Sequence, residues 1–530
     1  MKTKILAFLM AVCMAAGVTA CTTNTENVES SSTEASGTSE EQSESERSIL
    51  EYNTLFVISK ERIPDDPSLL DEVMEEKFGI VNHWEQVPSS SVSEKLNLLF
   101  ASNDVPDYAW PVGITPDYPK RYGNDGLLLP LNDYFDQLPD YKALYTDAEW
   151  ETMLKMESNA DGKLYYLPKK NYRKTANAWI YRKSAFDEMG LTFPKTIDEL
   201  YTVLKTIKEN DPDSIPMSTQ GSLNVLDGLC YAWGIDPDSP YAYVDENGEL
   251  VGCSRATDEY REVLKFAAKL YAEGLINKEF ATVTDQQWTE TYANGKAYIQ
   301  YSFATRETWA EENMRAVDPE VDWEWVPYNV TNDPDGDYYY NEETAHSPDG
   351  GPFFSNTMSE EKMDRLMEWY NWICTEEGAL FCCMGEEGVT YEIVDGEPRF
   401  MSHMYHSERN PEGKNDWEYG LFLGNLVQPE PYLKEVGKEV DLELSEALSS
   451  DPKAHSFPQI AWELSESDEK KLDDYDTLIK DIVEEYSMKF IMGKLDPNND
   501  TDWETYLKTL DGVGLQDAIA IRQANYSTVE

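Results

Sequence analysis

From Leu50 onward the apolar positions switch between two periods. Leu55-Phe56-Val57-Ile58 is a short apolar run, the pattern of a buried strand. Leu69 to Phe78 then carries apolar residues at helical spacing with acidic residues outward, and Val92 to Ala101 repeats that pattern. Val105 to Trp110 leads into another strand. Further on, Asp161-Gly162-Lys163 is a turn, Ala178 to Tyr181 a strand, and Lys183 to Met189 a helix ended by Gly190. Thr196, with Glu199 three residues later, reads as a capping box for a helix from Ile197 to Lys208. Tyr260 to Tyr271 is amphipathic and closes at Gly274. Strand and helix in alternation predict βαβ units, a mostly parallel sheet and the α/β fold class. Ligands in such sheets bind beyond the carboxyl ends of the strands, which puts Ser59 to Arg62 and Trp110 at a cleft edge.

The first twenty-one residues follow a different pattern. Lys2 and Lys4 precede an apolar run from Ile5 to Val18, closed by Thr19-Ala20-Cys21. The run is shorter than the roughly 20 apolar residues of a membrane span and has the layout of an export signal. Cysteine after small residues resembles a bacterial lipoprotein signal, which implies a signal peptide over 1–20, cleavage before Cys21 and lipid on that thiol. The protein is then expected on the extracellular face of the cell membrane of a bacterium, the layout suggesting a Gram-positive one. Residues 21–48 are rich in Ser, Thr and Glu and cannot bury enough surface to offset chain entropy. They read as a disordered tether, reaching about 5–6 Å times the square root of its length.

Composition narrows the partners. Lys and Arg number 44 against 101 Asp and Glu, for a net charge of −57, so nucleic acid is excluded as a ligand by repulsion. The same charge favours a neutral ligand over a polyanionic one. Roughly 480 residues remain after signal and tether, enough for two or three domains. Cys230, Cys253, Cys374, Cys382 and Cys383 are odd in number and irregularly spaced, and they read as buried free thiols. Tyr and Trp, at 33 and 14, outnumber the 17 Phe, as suits surfaces where one ring edge stays wet.

The strings WIYRKSAFDEMGLTFPKTIDELYTVLKTIKENDPDSIP, KLYAEGLINKEF, NGKAYIQYS and MGEEGVTYEIVDGEPRF resemble the extracellular solute-binding proteins of sugar ABC importers. The likeness is to the large lipoprotein subgroup that includes oligosaccharide and alginate binders, and it runs from about Tyr52 to near Ser527. It implies a type II periplasmic-binding-protein-like fold of two α/β lobes with the ligand cleft between them. One lobe is expected over 49–172 with about 350–385, the other over 178–345 with about 386–530. Crossing strands are expected near Asn171 to Trp179, near Gly350 to Phe354, and after Glu386 to Val389. Many relatives carry a calcium loop after the helix that Lys208 ends. Here only Asn210 to Pro216 stand in its place, short of the roughly twelve residues an EF-hand-like loop needs, so no calcium is expected there. No cofactor or other metal is expected.

A neutral saccharide needs flat apolar faces and planar hydrogen-bonding groups. Trp110 qualifies by its place at a strand end, Trp179 and Tyr181 by sharing one face of a crossing strand, and Tyr166 by preceding that crossing. The resemblance adds Trp233, Tyr301 and Trp309 as ring-bearing positions, and Asp349 and Glu386 as acceptors beside crossings. No GxSxG elbow, HExxH helix or phosphate loop is present, and the pair His403 and His406 matches no common metal spacing. The expected function is a monomeric, lipid-anchored substrate-binding protein that closes on an oligosaccharide and delivers it to an ABC permease, without catalysis. A glycan hydrolase or lyase, and a peptide-binding or sensor lipoprotein, are the alternatives.

Overall fold

The apolar run read at Leu55 to Ile58 is the second half of a nine-residue strand, Leu50–Ile58, in the computed structural model. Residues 47–529 are described, apart from 59–66, 89–90, 111–116, 222, 246–247, 334, 348–349, 405–412 and 422–424. Signal, tether and Cys21 therefore lie outside the described residues. The helix that follows spans Leu69–Phe78 as its periodicity predicts. Ser68 and Asp71 form its capping box, and Gly79 ends it at φ 64°. The Thr196–Glu199 capping box is also present, and its helix runs two residues past Lys208, Ile197–Asn210. Such caps satisfy amides that the first helical turn leaves unpaired, at about 1 kcal/mol each.

Ser48–Glu530 pack as one unit that contains two sheets with separate cores. In the amino-terminal half the strand order is Phe353–Phe354, Tyr108–Trp110, Leu50–Ile58, Ile80–Pro88. The last three are mutually parallel and Phe353–Phe354 is antiparallel. Tyr52, Phe56, Met74, Tyr108, Trp369 and Tyr370 fill the core beneath them. In the carboxy-terminal half the order is Ile215–Met217, Ala297–Phe303, Asn177–Arg182, Trp323–Val326. Only the first two run parallel; Asn177–Arg182 is antiparallel to both neighbours, a departure from the mostly parallel sheet expected. Helices Asp258–Ala272 and Glu466–Ile491 cover this half, and Leu264, Ile479 and Tyr506 meet Trp179 and Ile299 in its core.

Three segments pass between the halves. Residues 169–175 run beside 343–347, joined by the amide of Asn171 to the Ala345 carbonyl (2.8 Å) and that of Ser347 to the Lys169 carbonyl (2.9 Å). The third is the stretch around Asp441 and Ser445. Ser445 Oγ accepts from the amides of Lys174 (3.1 Å) and Thr175 (3.3 Å). The side chains tie the same three strands. Arg173 Nε reaches Glu343 at 3.2 Å and its Nη1 reaches the buried Asp441 at 3.2 Å, while Tyr172 donates to Asp441 at 2.7 Å.

The third crossing falls later than expected. After Val389 the chain makes a hairpin, Tyr391–Val394 against Glu397–Phe400, whose turn residues Asp395 and Gly396 both have positive φ. Tyr391 packs with Cys383, Met384, Tyr432 and Leu433, so this stretch stays with the segment before it. The chain joins the carboxy-terminal half only when Leu444 and Leu448 pack with Ala178, Ala304 and Tyr340. The five cysteines Cys230, Cys253, Cys374, Cys382 and Cys383 are buried and unbridged.

Where the second crossing enters the amino-terminal half, the chain backbones nearly touch. A Cβ on Gly351 would stand 1.8 Å from the Leu167 carbonyl oxygen, whereas one on Gly252 would meet nothing within 4 Å. Gly351→Ala is therefore expected to cost about 1–3 kcal/mol of stability by forcing the strands apart. Gly252→Ala should leave the melting temperature near that of the parent. Equal melting temperatures for the two variants would contradict this packing.

Candidate ligand cleft

Crossing strands with few ties other than their own leave a groove where the halves face each other. Its largest described cavity is about 860 Å³. The amino-terminal half contributes Lys120, Arg121, Glu157 and Asn159. The other half contributes Asp238, Tyr241, Trp462 and Asp476. A second cavity of about 600 Å³ lies against the crossings, lined by Glu149, Lys170, Arg173, His346, Phe457 and Gln459. Both volumes fall in the range of small-ligand sites, with rings and polar groups interleaved.

The floor of the larger cavity is an ionic cluster that no sequence spacing reveals. Glu157 is buried. Its carboxylate accepts from Tyr166 and meets Lys120 Nζ at 2.9 Å and His346 Nε2 at 3.0 Å. Burial pushes this carboxyl up, but the bond to His346, the Lys120 charge and the Tyr166 hydroxyl outweigh it and hold the pKa at about 2. On the other wall, burial pushes Asp227 up to about 7, with Asp238 adding to the shift and Arg255 opposing it. A carboxyl that titrates near neutrality both donates and accepts, which suits hydroxyl-rich ligands.

An aromatic series leads from the core towards this wall. Trp179 meets Tyr301 edge-on at 5.3 Å, and Tyr301 meets Tyr231 at 5.5 Å. Tyr231 and the exposed Tyr339 each stack on Phe457, at 6.0 and 5.0 Å.

The structure redistributes the residues singled out in the sequence. Trp179 and Tyr181 do share a face, but it is the face packed into the carboxy-terminal core, where they are 1% and 8% exposed. The reason is general: α/β sheets are covered by helices on both sides, so neither face of an inner strand is free. Gly228 seals Trp179 locally, since a Cβ there would stand 2.6 Å from its ring. Tyr181 donates to Glu324 at 2.8 Å. Tyr166 is fully buried and acts on the cavity only through Glu157. Trp309 is half-buried with one face stacked on Trp288, 4.1 Å between ring centres, and Trp233 is half-buried against Phe266. Tyr301 is half-buried within the aromatic series. Glu386 is exposed and caps a turn with Thr390. None of these seven lines either cavity. Trp110 ends its strand opposite Phe56, at the carboxyl edge of the sheet, while Asp349 and Ser59 to Arg62 lie outside the described residues.

The connection after helix Ile197–Asn210 is four residues long, 211–214, before the strand Ile215–Met217 begins. Asp211 is engaged internally, accepting from Tyr298 at 3.1 Å and from the Asp213 amide at 3.2 Å.

Two α/β halves, a hinge of three crossings and a cleft between them define a two-lobed solute-binding architecture. The sequence profile described as bacterial extracellular solute-binding protein matches residues 64–350, and the chain belongs to that family. It is 30% identical over 262 residues to lipoprotein LipO of Bacillus subtilis, a match spanning 48% of this chain and 50% of LipO, so about half the length of that relative is covered. The fructooligosaccharide ABC transporter substrate-binding protein FusA of Streptococcus pneumoniae is 25% identical over 87% of this chain and 88% of its own. Among solved structures, an extracellular solute-binding protein from Bifidobacterium longum subsp. infantis superposes with a TM-score of 0.70, at 19% identity over 90% of this chain and 97% of that one. The alginate-binding protein AlgQ2 gives 0.69, at 20% identity over 90% and 98%.

The Glu157 cluster has a pH signature. A carboxyl held at about 2 against an ordinary 4.5 contributes stability above pH 4.5 and loses it as pH falls towards 2. The parent protein should therefore lose its melting-temperature advantage over Glu157→Gln across that window in pH-dependent thermal melts. A gap between the two that stays constant from pH 5 to about 2 would contradict the assignment.

Proposed function

We propose that this chain captures an extracellular oligosaccharide and delivers it to an ABC permease in the membrane. The observation that carries this reading is the hinged cleft in a member of the solute-binding family, lined by Tyr241 and Trp462 beside planar polar groups. The likeness to FusA over most of both chains supports the ligand class. The ligand touches both halves only when they close, so binding favours the closed state and marks the protein as loaded. With net charge −57, a neutral glycan is the favoured ligand. Lipid on Cys21 would keep the protein at the extracellular membrane face, and a monomer suffices for the cycle. No bond of the ligand is broken.

Calorimetry with a panel of neutral oligosaccharides should give saturable binding of at least one, and chromatography should recover that ligand unchanged. Product formation, or binding confined to peptides, would overturn the reading.

A further inference from the structure

At the carboxyl end of the strand Ala297–Phe303, beside the first crossing, one group of side chains is left open to ligand. Phe303 pairs with Asn177, and the next amide, Ala304, donates to the Ala176 carbonyl at 2.8 Å, so this corner is fixed to the chain that leads into the hinge. Yet Phe303 is 43% exposed. Strand-end loops of α/β sheets are where ligands sit, and an exposed phenylalanine there offers an apolar face to solvent.

Arg306 stands over that ring, its guanidinium carbon 5.4 Å from the Phe303 centre and 4.7 Å from that of Trp288. It is half-buried, and among the described residues no carboxylate lies within ion-pairing distance of it. Other buried arginines in this acidic chain are paired: Arg173 with Glu343 and Asp441, Arg182 with Asp318, Arg522 with Asp476. Burial lowers the affinity of Arg306 for its proton, while Tyr292 and Asp285 favour the charge. Its donors are therefore held in place by two rings and left without a strong acceptor. Asp285 and Gln220 supply the complementary groups. Gln220 Nε2 donates to Asp285 Oδ1 at 3.1 Å, and Gly221 is held against the Val283 carbonyl, where a Cβ would stand 2.7 Å away.

We propose that Phe303, Arg306, Asp285 and Gln220 form a saccharide subsite on the carboxy-terminal wall of the cleft. The exposed face of Phe303 takes the C–H face of a sugar ring. The planar Arg306 fork donates to two adjacent hydroxyls, and Asp285 accepts from a third. This assignment rests on the oligosaccharide reading above.

The test uses the full chain on an array of neutral and uronate-containing oligosaccharides, followed by calorimetry on the glycans retained. Phe303→Ala and Arg306→Lys should each weaken binding of those glycans by about tenfold or more, with melting temperatures close to the parent's. Lysine keeps the charge and loses the fork, so its failure reads hydrogen-bond geometry. Val317→Ala, on an exposed position away from the corner, should bind as the parent does. Parent-like affinity in both Phe303→Ala and Arg306→Lys overturns the subsite and leaves the oligosaccharide reading standing. A parent protein that binds no glycan on the array overturns both.

Discussion

Everything that moves in this molecule depends on how three polar crossing segments are held together. Arg173 sits among them with its fork divided between Glu343 and the buried Asp441. Burial pushes Asp441 up, and Tyr172, Arg173 and Lys438 counter it. Burial likewise lowers Lys438, with Arg173 adding repulsion. Removing one member of such a group leaves a charge buried without a partner, which is why this clasp is costly to break although its net contribution is small. Ser445, accepting from two successive amides of the first crossing, does for the backbone what Arg173 does for the charges. The segments satisfy each other and leave the halves free to keep their own cores.

Separate cores turn the hinge into a device. Close-packed interiors do not deform continuously, so each half moves as a body and the change concentrates where packing is thin. The cleft walls inherit opposite characters from this division. Lys120 and Arg121 stand on the amino-terminal side, and Asp227, Asp238 and Asp476 on the other. A neutral polyhydroxy ligand can bridge such walls, since hydroxyls accept from cations and donate to carboxylates.

Local structure was largely legible in the sequence, because it follows from short-range rules. The helix Leu69–Phe78, the Thr196 capping box and the stop at Gly190 came from periodicity and cap chemistry alone. The third crossing was misplaced although its correction is written in the chain: Asp395-Gly396 between two short alternating runs is a hairpin signal. The cleft was less legible. Trp179 and Tyr181 are aromatic and strand-borne, but an inner strand of a covered sheet has no free face, and only the tertiary fold says so. The Glu157–His346 pair is separated by 189 residues and carries no spacing signal. Phe303 and Arg306 look ordinary until strand pairing sets them beside the hinge.

Closure around the ligand is the central claim, and a distance between the halves reads it directly. Leu98 and Val317 are exposed, one in each half, and the native thiols described here are buried, so Leu98→Cys with Val317→Cys in Ser48–Glu530 accepts a pair of spin labels. Saturating oligosaccharide should narrow and shift the label-to-label distance distribution. A distribution that stays the same while calorimetry shows the site filled would contradict the hinge.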